Sequence, residues 1–165
     1  VAQKLGARAP DRVASLILCD TAQRIGPPSN WDARVAAIRA GGLDGIADGV
    51  MERWFTPPFR AARPEIVRGA RTMLVRSAVE GYVGCALAVR DADLTADGAL
   101  IRCPTLVVAG DQDLATPPVL VEELARAIPG ARFVLIESAS HIPCMEQPEA
   151  LAREIRGFLD GLAAG

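Results

Sequence analysis

The chain has 165 residues, of which 50% are apolar and 23% are charged, and its formal net charge is −2. This composition is typical of a globular protein with a sizeable core, and the charge gives no reason to expect a nucleic acid or an anionic membrane as partner. The longest apolar runs, such as residues 13–19, are too short to cross a bilayer, and no signal peptide is visible.

The four cysteines are scattered along the chain and form no C-x-x-C pair. A zinc site or a disulfide framework would need closer or more regular spacing. We therefore expect reduced thiols in a cytoplasmic protein, without a metal. The cysteines are Cys19, Cys85, Cys103 and Cys144.

Along the chain, residues 1–9 are predicted to be the end of a helix, and residues 13–19 a strand buried on both faces. Residues 29–90 show no strand pattern and are expected to form three or four helices, because apolar residues recur there at helical spacing. The segment 43–54 is the weakest of these, since two glycines lower its helix propensity.

Two further strands are predicted at residues 105–109 and 133–136, with a helix between them and a last helix over 149–162. Strands that alternate with helices indicate an α/β fold with a mostly parallel sheet. We divide the chain into a core segment (1–28), a helical cap (29–90) and a C-terminal core segment (91–165).

Two acidic residues, Asp111 and Asp113, directly follow the second strand. Functional side chains in open α/β sheets lie in the loops at the carboxyl ends of strands, where a carboxylate can orient an imidazole. Alternatively, both are turn and cap residues, since aspartate is common in both roles.

His141, the only histidine of the chain, follows the third strand. Its ring could move a proton near neutral pH, because the unperturbed pKa of imidazole is about 6.5. A lone histidine can equally be an ordinary surface or core residue. Its place one βαβ unit after Asp113 favours an acid–base relay, because both side chains would lie at the same edge of the sheet.

The pattern Gly-x-x-Asp-x-x-x-Pro at 110–117, followed by Ser-His-Ile-Pro-x-x-Glu-x-Pro-Glu at 140–149, resembles the α/β-hydrolase family. That resemblance implies an α/β-hydrolase fold with an inserted helical cap. It also implies that Asp113 is the acid and His141 the histidine of a Ser-His-Asp triad, whose order along the chain is nucleophile, acid, histidine. No cofactor and no metal are implied.

Finer features resemble the 3-oxoadipate enol-lactonases of the β-ketoadipate pathway of aromatic catabolism. They are Glu-Arg-Trp-Phe-Thr-Pro at 52–57, Glu-Gly-Tyr-Val-Gly-Cys at 80–85, Arg-Asp-Ala-Asp-Leu at 90–94 and His-Ile-Pro-Cys-Met-Glu at 141–146. The implied partner is a small-molecule lactone, and the oligomeric state stays open. Another α/β-hydrolase, such as a carboxylesterase or a haloperoxidase-like perhydrolase, is the alternative.

The chain departs from the family in one respect, since none of its five serines lies in a Gly-x-Ser-x-Gly motif. We expect the nucleophile and the oxyanion-hole loop to lie before Val1. The chain alone is then expected to be an inactive fragment, and a non-catalytic binding or assembly role is the second alternative.

Because the implied substrate carries a carboxylate, a cation is expected to bind it, and Arg53 is the candidate. Trp54 is expected to line the substrate pocket. The alternatives are a solvated helix residue for Arg53 and a packing residue for Trp54. Cys144 is expected to be a buried thiol, and Glu146 and Glu149 to support the histidine loop and the start of the last helix.

Overall fold

A computed structural model describes residues 1–163 of the chain, which divide into two compact units. The first unit combines Val1–Gln23 with the chain from Asp93 onward, and the second unit is Arg24–Ala92. The parallel sheet lies in the first unit, and the second unit consists of helices.

The elements follow one another in this order: α1 (Ala2–Arg8), a short 3-10 helix (Pro10–Arg12), β1 (Leu16–Cys19), α2 (Pro28–Gly41), α3 (Asp44–Trp54), α4 (Pro57–Ala62), α5 (Pro64–Val75), α6 (Val79–Asp91), α7 (Thr95–Gly98), β2 (Thr105–Gly110), α8 (Pro118–Ala127), β3 (Arg132–Ile136), α9 (Pro143–Glu146) and α10 (Pro148–Ala163).

The three strands form one parallel sheet in the order β1-β2-β3. Leu16 lies opposite Thr105, and Leu106 lies opposite Arg132. β1 begins three residues later than its apolar run predicts. The 3-10 helix ends at Arg12, and the first ladder bond is the one from the Leu16 amide to the Pro104 carbonyl.

Helices cover both faces of β2, whose successive side chains point alternately to one face and to the other. On one face Val107 and Ala109 pack with Val121 and Leu124 of α8, and on the other face Leu106 and Val108 pack against Leu151 of α10. All six residues of β2 are buried. The prediction that the first strand is buried on both faces is wrong, since only alternate residues of β1 are fully buried. β3 is also only partly covered, and its Leu135 is 45% exposed.

The second unit contains five helices, where the sequence indicates three or four. The additional one is α4, which begins with Pro57 and Pro58. Prolines fit the first turn of a helix, where their missing N–H would be unpaired in any case, and the Thr56 hydroxyl accepts a hydrogen bond from the Phe59 amide. The weakly predicted α3 forms because it buries Ala47, Val50 and Met51.

A core of Val35, Ile38, Leu43, Val83 and Ala86 joins α2 and α6 in this unit. Among residues 1–163, no single helix is long and apolar enough to cross a bilayer. Only α5 and α6 taken together reach that length and composition, and they are bent by 93° at the break between them.

Gly110, the last residue of β2, is required by a close approach of two backbones. A Cβ atom at this position would lie 2.2 Å from the Ser140 carbonyl oxygen and 2.6 Å from that of Ala139. Backbone atoms cannot yield as the end of a flexible side chain can, so only glycine lets the loop after β3 lie against the end of β2.

Replacing Gly110 with alanine should therefore destabilise the protein by about 1–3 kcal/mol, the usual effect of overpacking. Gly157→Ala is the matched control, because a Cβ there meets nothing within 4 Å and the site is an exposed position of α10. The control should be neutral or stabilising by up to about 1 kcal/mol. Urea unfolding of both variants tests this, and equal stabilities would contradict the predicted clash.

Candidate active site

Three polar side chains lie in the loops that follow the three strands. Asp20 comes directly after β1, Asp113 lies three residues after β2, and His141 lies in the loop between β3 and α9. Because the strands are parallel, their carboxyl ends meet at one edge of the sheet. These residues therefore form a cluster at that edge, within the first unit.

The carboxylate of Asp113 is fully buried and receives hydrogen bonds on both oxygens. Its Oδ1 accepts from the backbone amides of Ala115 at 2.6 Å and Thr116 at 3.0 Å. Its Oδ2 accepts from the Thr116 hydroxyl at 2.7 Å and faces the His141 ring. The aspartate is thus a turn residue and a partner of the histidine at the same time.

The Nδ1 atom of His141 lies 2.9 Å from the Asp113 Oδ2 atom. A carboxylate only accepts hydrogen bonds, so Nδ1 carries the proton of this bond. In the neutral ring the other nitrogen, Nε2, is then left with its lone pair. The His141 side chain is 25% exposed, so the ring can meet a substrate and still keep its buried partner.

The loops that carry Asp113 and His141 are joined by direct hydrogen bonds. The Asp111 side chain accepts from the Ala139 amide at 3.1 Å, and the Gln112 amide donates to the Ala139 carbonyl at 2.9 Å. The buried Glu146 of α9 accepts from the Ser140 amide at 2.6 Å. These bonds fix the two residues that precede His141 in its loop, and they give Glu146 a supporting contact of the kind predicted for it.

The pKa of Asp113 is held below its ordinary value. Burial alone would raise the pKa, but the hydrogen bond and the charge of His141 lower it, and so do the bonds from Thr116. Asp113 is therefore an anion at neutral pH, which is the form that can stabilise a positively charged imidazole.

Asp20 also belongs to this cluster, and the sequence patterns do not single it out. Asp20 is 7% exposed, and its Oδ1 accepts a hydrogen bond from the Gly110 amide at 2.9 Å. Burial and the neighbouring charge of Asp113 raise the pKa of Asp20 from 3.8 to about 7, against the opposing effects of the Gly110 bond and His141. The sequence offers one indication of its role: Asp20 follows a strand directly, and the loops that carry Asp113 and His141 also follow strands.

Thr116 also belongs to this cluster, and the sequence patterns do not single it out. Its hydroxyl lies 2.7 Å from Asp113 and 3.4 Å from the Nδ1 atom of His141.

The prediction that Cys144 is buried is wrong, because α9 turns this side chain outward and leaves it exposed. Burial raises the pKa of Cys19 to about 11, so this thiol is uncharged at neutral pH.

Arg53 and Trp54 end α3 in the second unit. Arg53 is exposed and Trp54 is half-buried. A depression of about 270 Å³ in this unit is lined by their neighbours Met51 and Glu52, with Arg60, Arg68 and Arg71 among the other lining residues, and does not include Arg53 or Trp54. Their predicted contact with substrate stays a prediction.

The sequence profile of the alpha/beta hydrolase family matches residues 1–154. This chain belongs to that family. The predicted fold class, an α/β-hydrolase fold, is thereby confirmed, and the helical second unit together with the small parallel sheet agrees with it.

Individual relatives of this alpha/beta hydrolase are ester and lactone hydrolases. It is 35% identical over 157 residues to 3-oxoadipate enol-lactonase 2 of Acinetobacter baylyi, an alignment that covers 95% of this chain and 58% of the relative. The crystal structure of the enol-lactonase from Burkholderia xenovorans LB400 matches 96% of this chain and 61% of its own, with a TM-score of 0.93 and 38% identity.

A thermophilic esterase from Thermogutta terrifontis matches almost as well, with a TM-score of 0.89 and 34% identity over 98% of this chain and 61% of its own. The chain therefore spans about three-fifths of the length of these relatives. The resemblance to enol-lactonases inferred from the sequence is confirmed at the level of the relatives.

The raised pKa of Asp20 predicts a pH dependence of stability. Folding takes up a proton wherever the folded group is protonated and the unfolded one is not, which for Asp20 is between about pH 4 and about pH 7. Its contribution to the free energy of unfolding therefore falls as the pH rises through that window, by at most about 1.4 kcal/mol per pH unit, and stays level above it.

Asp20→Asn should remove this slope, so that the variant gains stability relative to the wild type as the pH rises from about 4 to about 7. Urea unfolding across that range measures the difference, with Asp160→Asn on the exposed face of α10 as the control. Asp113 has a lowered pKa, so its own contribution is lost only as the pH falls through the acidic range. A constant difference between Asp20→Asn and the wild type would refute the prediction.

Proposed function

We propose that this alpha/beta hydrolase cleaves the ester bond of a small lactone by acyl transfer, with His141 as the general base and Asp113 as its orienting acid. The observation that carries the proposal is the 2.9 Å hydrogen bond between His141 Nδ1 and the buried Asp113 carboxylate. That bond leaves Nε2 unprotonated in the neutral ring, and this is the atom that a general base needs.

In the proposed mechanism, Nε2 of His141 accepts the proton of a serine hydroxyl as the oxygen attacks the lactone carbonyl. Asp113 stabilises the imidazolium that forms. The imidazolium then gives its proton to the enol oxygen as the ring C–O bond breaks, which leaves an enol within the acyl-enzyme, and this enol tautomerises to the ketone. A water molecule, deprotonated by Nε2, cleaves the acyl-enzyme and regenerates the hydroxyl.

The reacting serine is a proposal about the whole protein, and labelling can identify it. A fluorophosphonate probe, applied to the protein expressed from its complete coding sequence, reacts with a serine that is activated by a neighbouring histidine. Peptide mapping then identifies the labelled residue. Labelling that is lost in a His141→Ala variant supports the proposed pair of groups.

We infer that the substrate is 3-oxoadipate enol-lactone and the product 3-oxoadipate, which is a step of the β-ketoadipate pathway. The support is the name shared by two curated relatives of Acinetobacter baylyi, at 35% and 28% identity, and by the Burkholderia xenovorans structure. The esterase of Thermogutta terrifontis, at 34% identity, favours a carboxylesterase activity as the second candidate.

Free cysteines at all four positions support a cytoplasmic location.

Removing the general base or its partner should abolish most of the hydrolysis. In the protein expressed from its complete coding sequence, we expect Asp113→Asn to lower kcat on the order of 10⁴-fold, because an amide at this position favours the wrong imidazole tautomer. His141→Ala should lower kcat at least as far. Asp160→Asn on α10 is the matched control and should retain full activity. Activity of Asp113→Asn close to that of the wild type would exclude the proposed relay.

The two candidate substrates make different demands on Arg53. If its guanidinium binds the substrate carboxylate, Arg53→Gln should raise KM for the enol-lactone about tenfold or more and leave KM for a neutral aryl ester unchanged. Arg39→Gln, an equally exposed arginine of α2, is the control. An unchanged KM for the enol-lactone would contradict the proposed contact of Arg53 with substrate, and faster turnover of aryl esters would favour the esterase.

Trp54 is proposed to contact the same substrate. Trp54→Phe should then change KM for the lactone and leave the unfolding midpoint in urea nearly unchanged. A lowered midpoint with unchanged KM would show that Trp54 is a packing residue.

A further inference from the structure

Thr116 contacts both oxygens of the Asp113 carboxylate. Its backbone amide donates to Oδ1 at 3.0 Å, and its hydroxyl donates to Oδ2 at 2.7 Å. The residue is buried, with 1% of its surface exposed. Because two donors of one residue hold the two oxygens, Thr116 fixes the rotation of the carboxylate group as well as its position.

The two carboxylate oxygens are held by different kinds of group. Oδ1 accepts from two backbone amides, those of Ala115 and Thr116. Oδ2, the oxygen that faces His141, accepts from the histidine ring at 2.9 Å and from the Thr116 hydroxyl. The hydroxyl therefore holds this oxygen independently of the histidine.

The hydrogen of the Thr116 hydroxyl points to the aspartate and not to the histidine. Its oxygen lies 2.7 Å from Asp113 Oδ2 but 3.4 Å from His141 Nδ1. Nδ1 carries the proton of its own bond to Asp113, so it cannot accept a second one. Burial raises the pKa of Asp113, and the bonds from His141 and Thr116 lower it, which agrees with a hydroxyl that donates to the anion.

The chain restricts the conformation of Thr116 itself. Pro117 follows it directly, and the residue before a proline is biased towards extended backbone conformations. Threonine also has a branched Cβ atom, which limits its χ1 angle. Thr116 is therefore a rigid, buried donor, whereas His141 lies in a loop and its side chain is 25% exposed.

We propose that Thr116 is a positioning residue of the relay, whose hydroxyl holds Oδ2 of Asp113 towards Nδ1 while His141 exchanges its proton with the substrate. The inference deepens the proposed function and rests on it. As Nε2 gains and loses a proton, the ring alternates between charged and neutral forms, and the strength of its bond to Oδ2 changes. The Thr116 hydroxyl keeps its bond in both forms, so the carboxylate stays in place throughout the cycle.

Three substitutions grade the donor at this position. Thr116→Ser keeps the hydroxyl, Thr116→Cys replaces it with a weak S–H donor, and Thr116→Val removes it with little change of shape. Thr105→Val is the matched control at the opposite end of β2. Thr105 is 2% exposed, and its hydroxyl donates to the Cys103 carbonyl at 3.0 Å, so the same substitution there also removes a buried hydrogen bond.

The kinetic test uses the protein expressed from its complete coding sequence. We expect Thr116→Val to lower kcat on the order of tenfold with KM little changed, which is the size of a hydrogen bond to a charged group. Thr116→Ser should stay within about threefold of the wild type, and Thr116→Cys should lie between the two. Thr105→Val should lower the urea midpoint and leave kcat unchanged. A serine variant as slow as the valine variant, or a valine variant as fast as the wild type, would overturn the inference.

Proton NMR of the His141 ring separates positioning from general stabilisation of the fold. The downfield Nδ1 proton resonance should move upfield in Thr116→Val, because Oδ2 is no longer held towards the ring, and should stay in place in Thr116→Ser and Thr105→Val. An unchanged resonance in Thr116→Val, together with a lowered urea midpoint, would mean that the hydroxyl only stabilises the fold, contrary to the inference. If the wild type and His141→Ala are equally inactive, the proposed function fails, and the resonance still decides whether Thr116 positions the carboxylate.

Discussion

The arrangement at the sheet edge depends on one hydrogen bond, the 2.9 Å bond between His141 Nδ1 and Asp113 Oδ2. A lone histidine in a loop has no fixed orientation, and a buried aspartate without partners would be protonated or destabilising. The two groups stabilise each other. The carboxylate fixes the tautomer of the ring, and the ring contributes to the lowered pKa of the carboxylate. The partial exposure of His141 then makes this pair available for chemistry.

The bond is possible because three parallel strands end together and their loops contact one another. Gly110 lets the backbone of the loop after β3 lie against the end of β2, which a Cβ atom would prevent. Asp111 and Glu146 hold the same loop through the amides of Ala139 and Ser140. These contacts hold the backbone that carries His141, and such support is what keeps a site to the accuracy that acid–base chemistry needs.

The strands of the sheet could be predicted from the sequence because continuous apolar runs mark buried strands, and parallel order then places the Asp and His loops at one edge. The helix α4 could not, since Pro57-Pro58 indicates a break as readily as a first turn. The contribution of Asp20 could not be predicted either. It depends on a positive φ and on a contact between strands that are 90 residues apart in the chain, from Asp20 to Gly110. The exposure of Cys144 depends similarly on the direction in which the short α9 turns it.

The most direct test of the central bond is nitrogen NMR of the His141 ring in protein labelled at histidine. The account predicts that the neutral ring carries its proton on Nδ1, with a strongly downfield proton resonance that disappears in Asp113→Asn, while Nε2 shows the shift of an unprotonated nitrogen. A neutral ring protonated on Nε2, or an Nδ1 resonance unaffected by the Asp113 substitution, would contradict it. Such a result would remove the physical basis for a general base at this edge of the sheet.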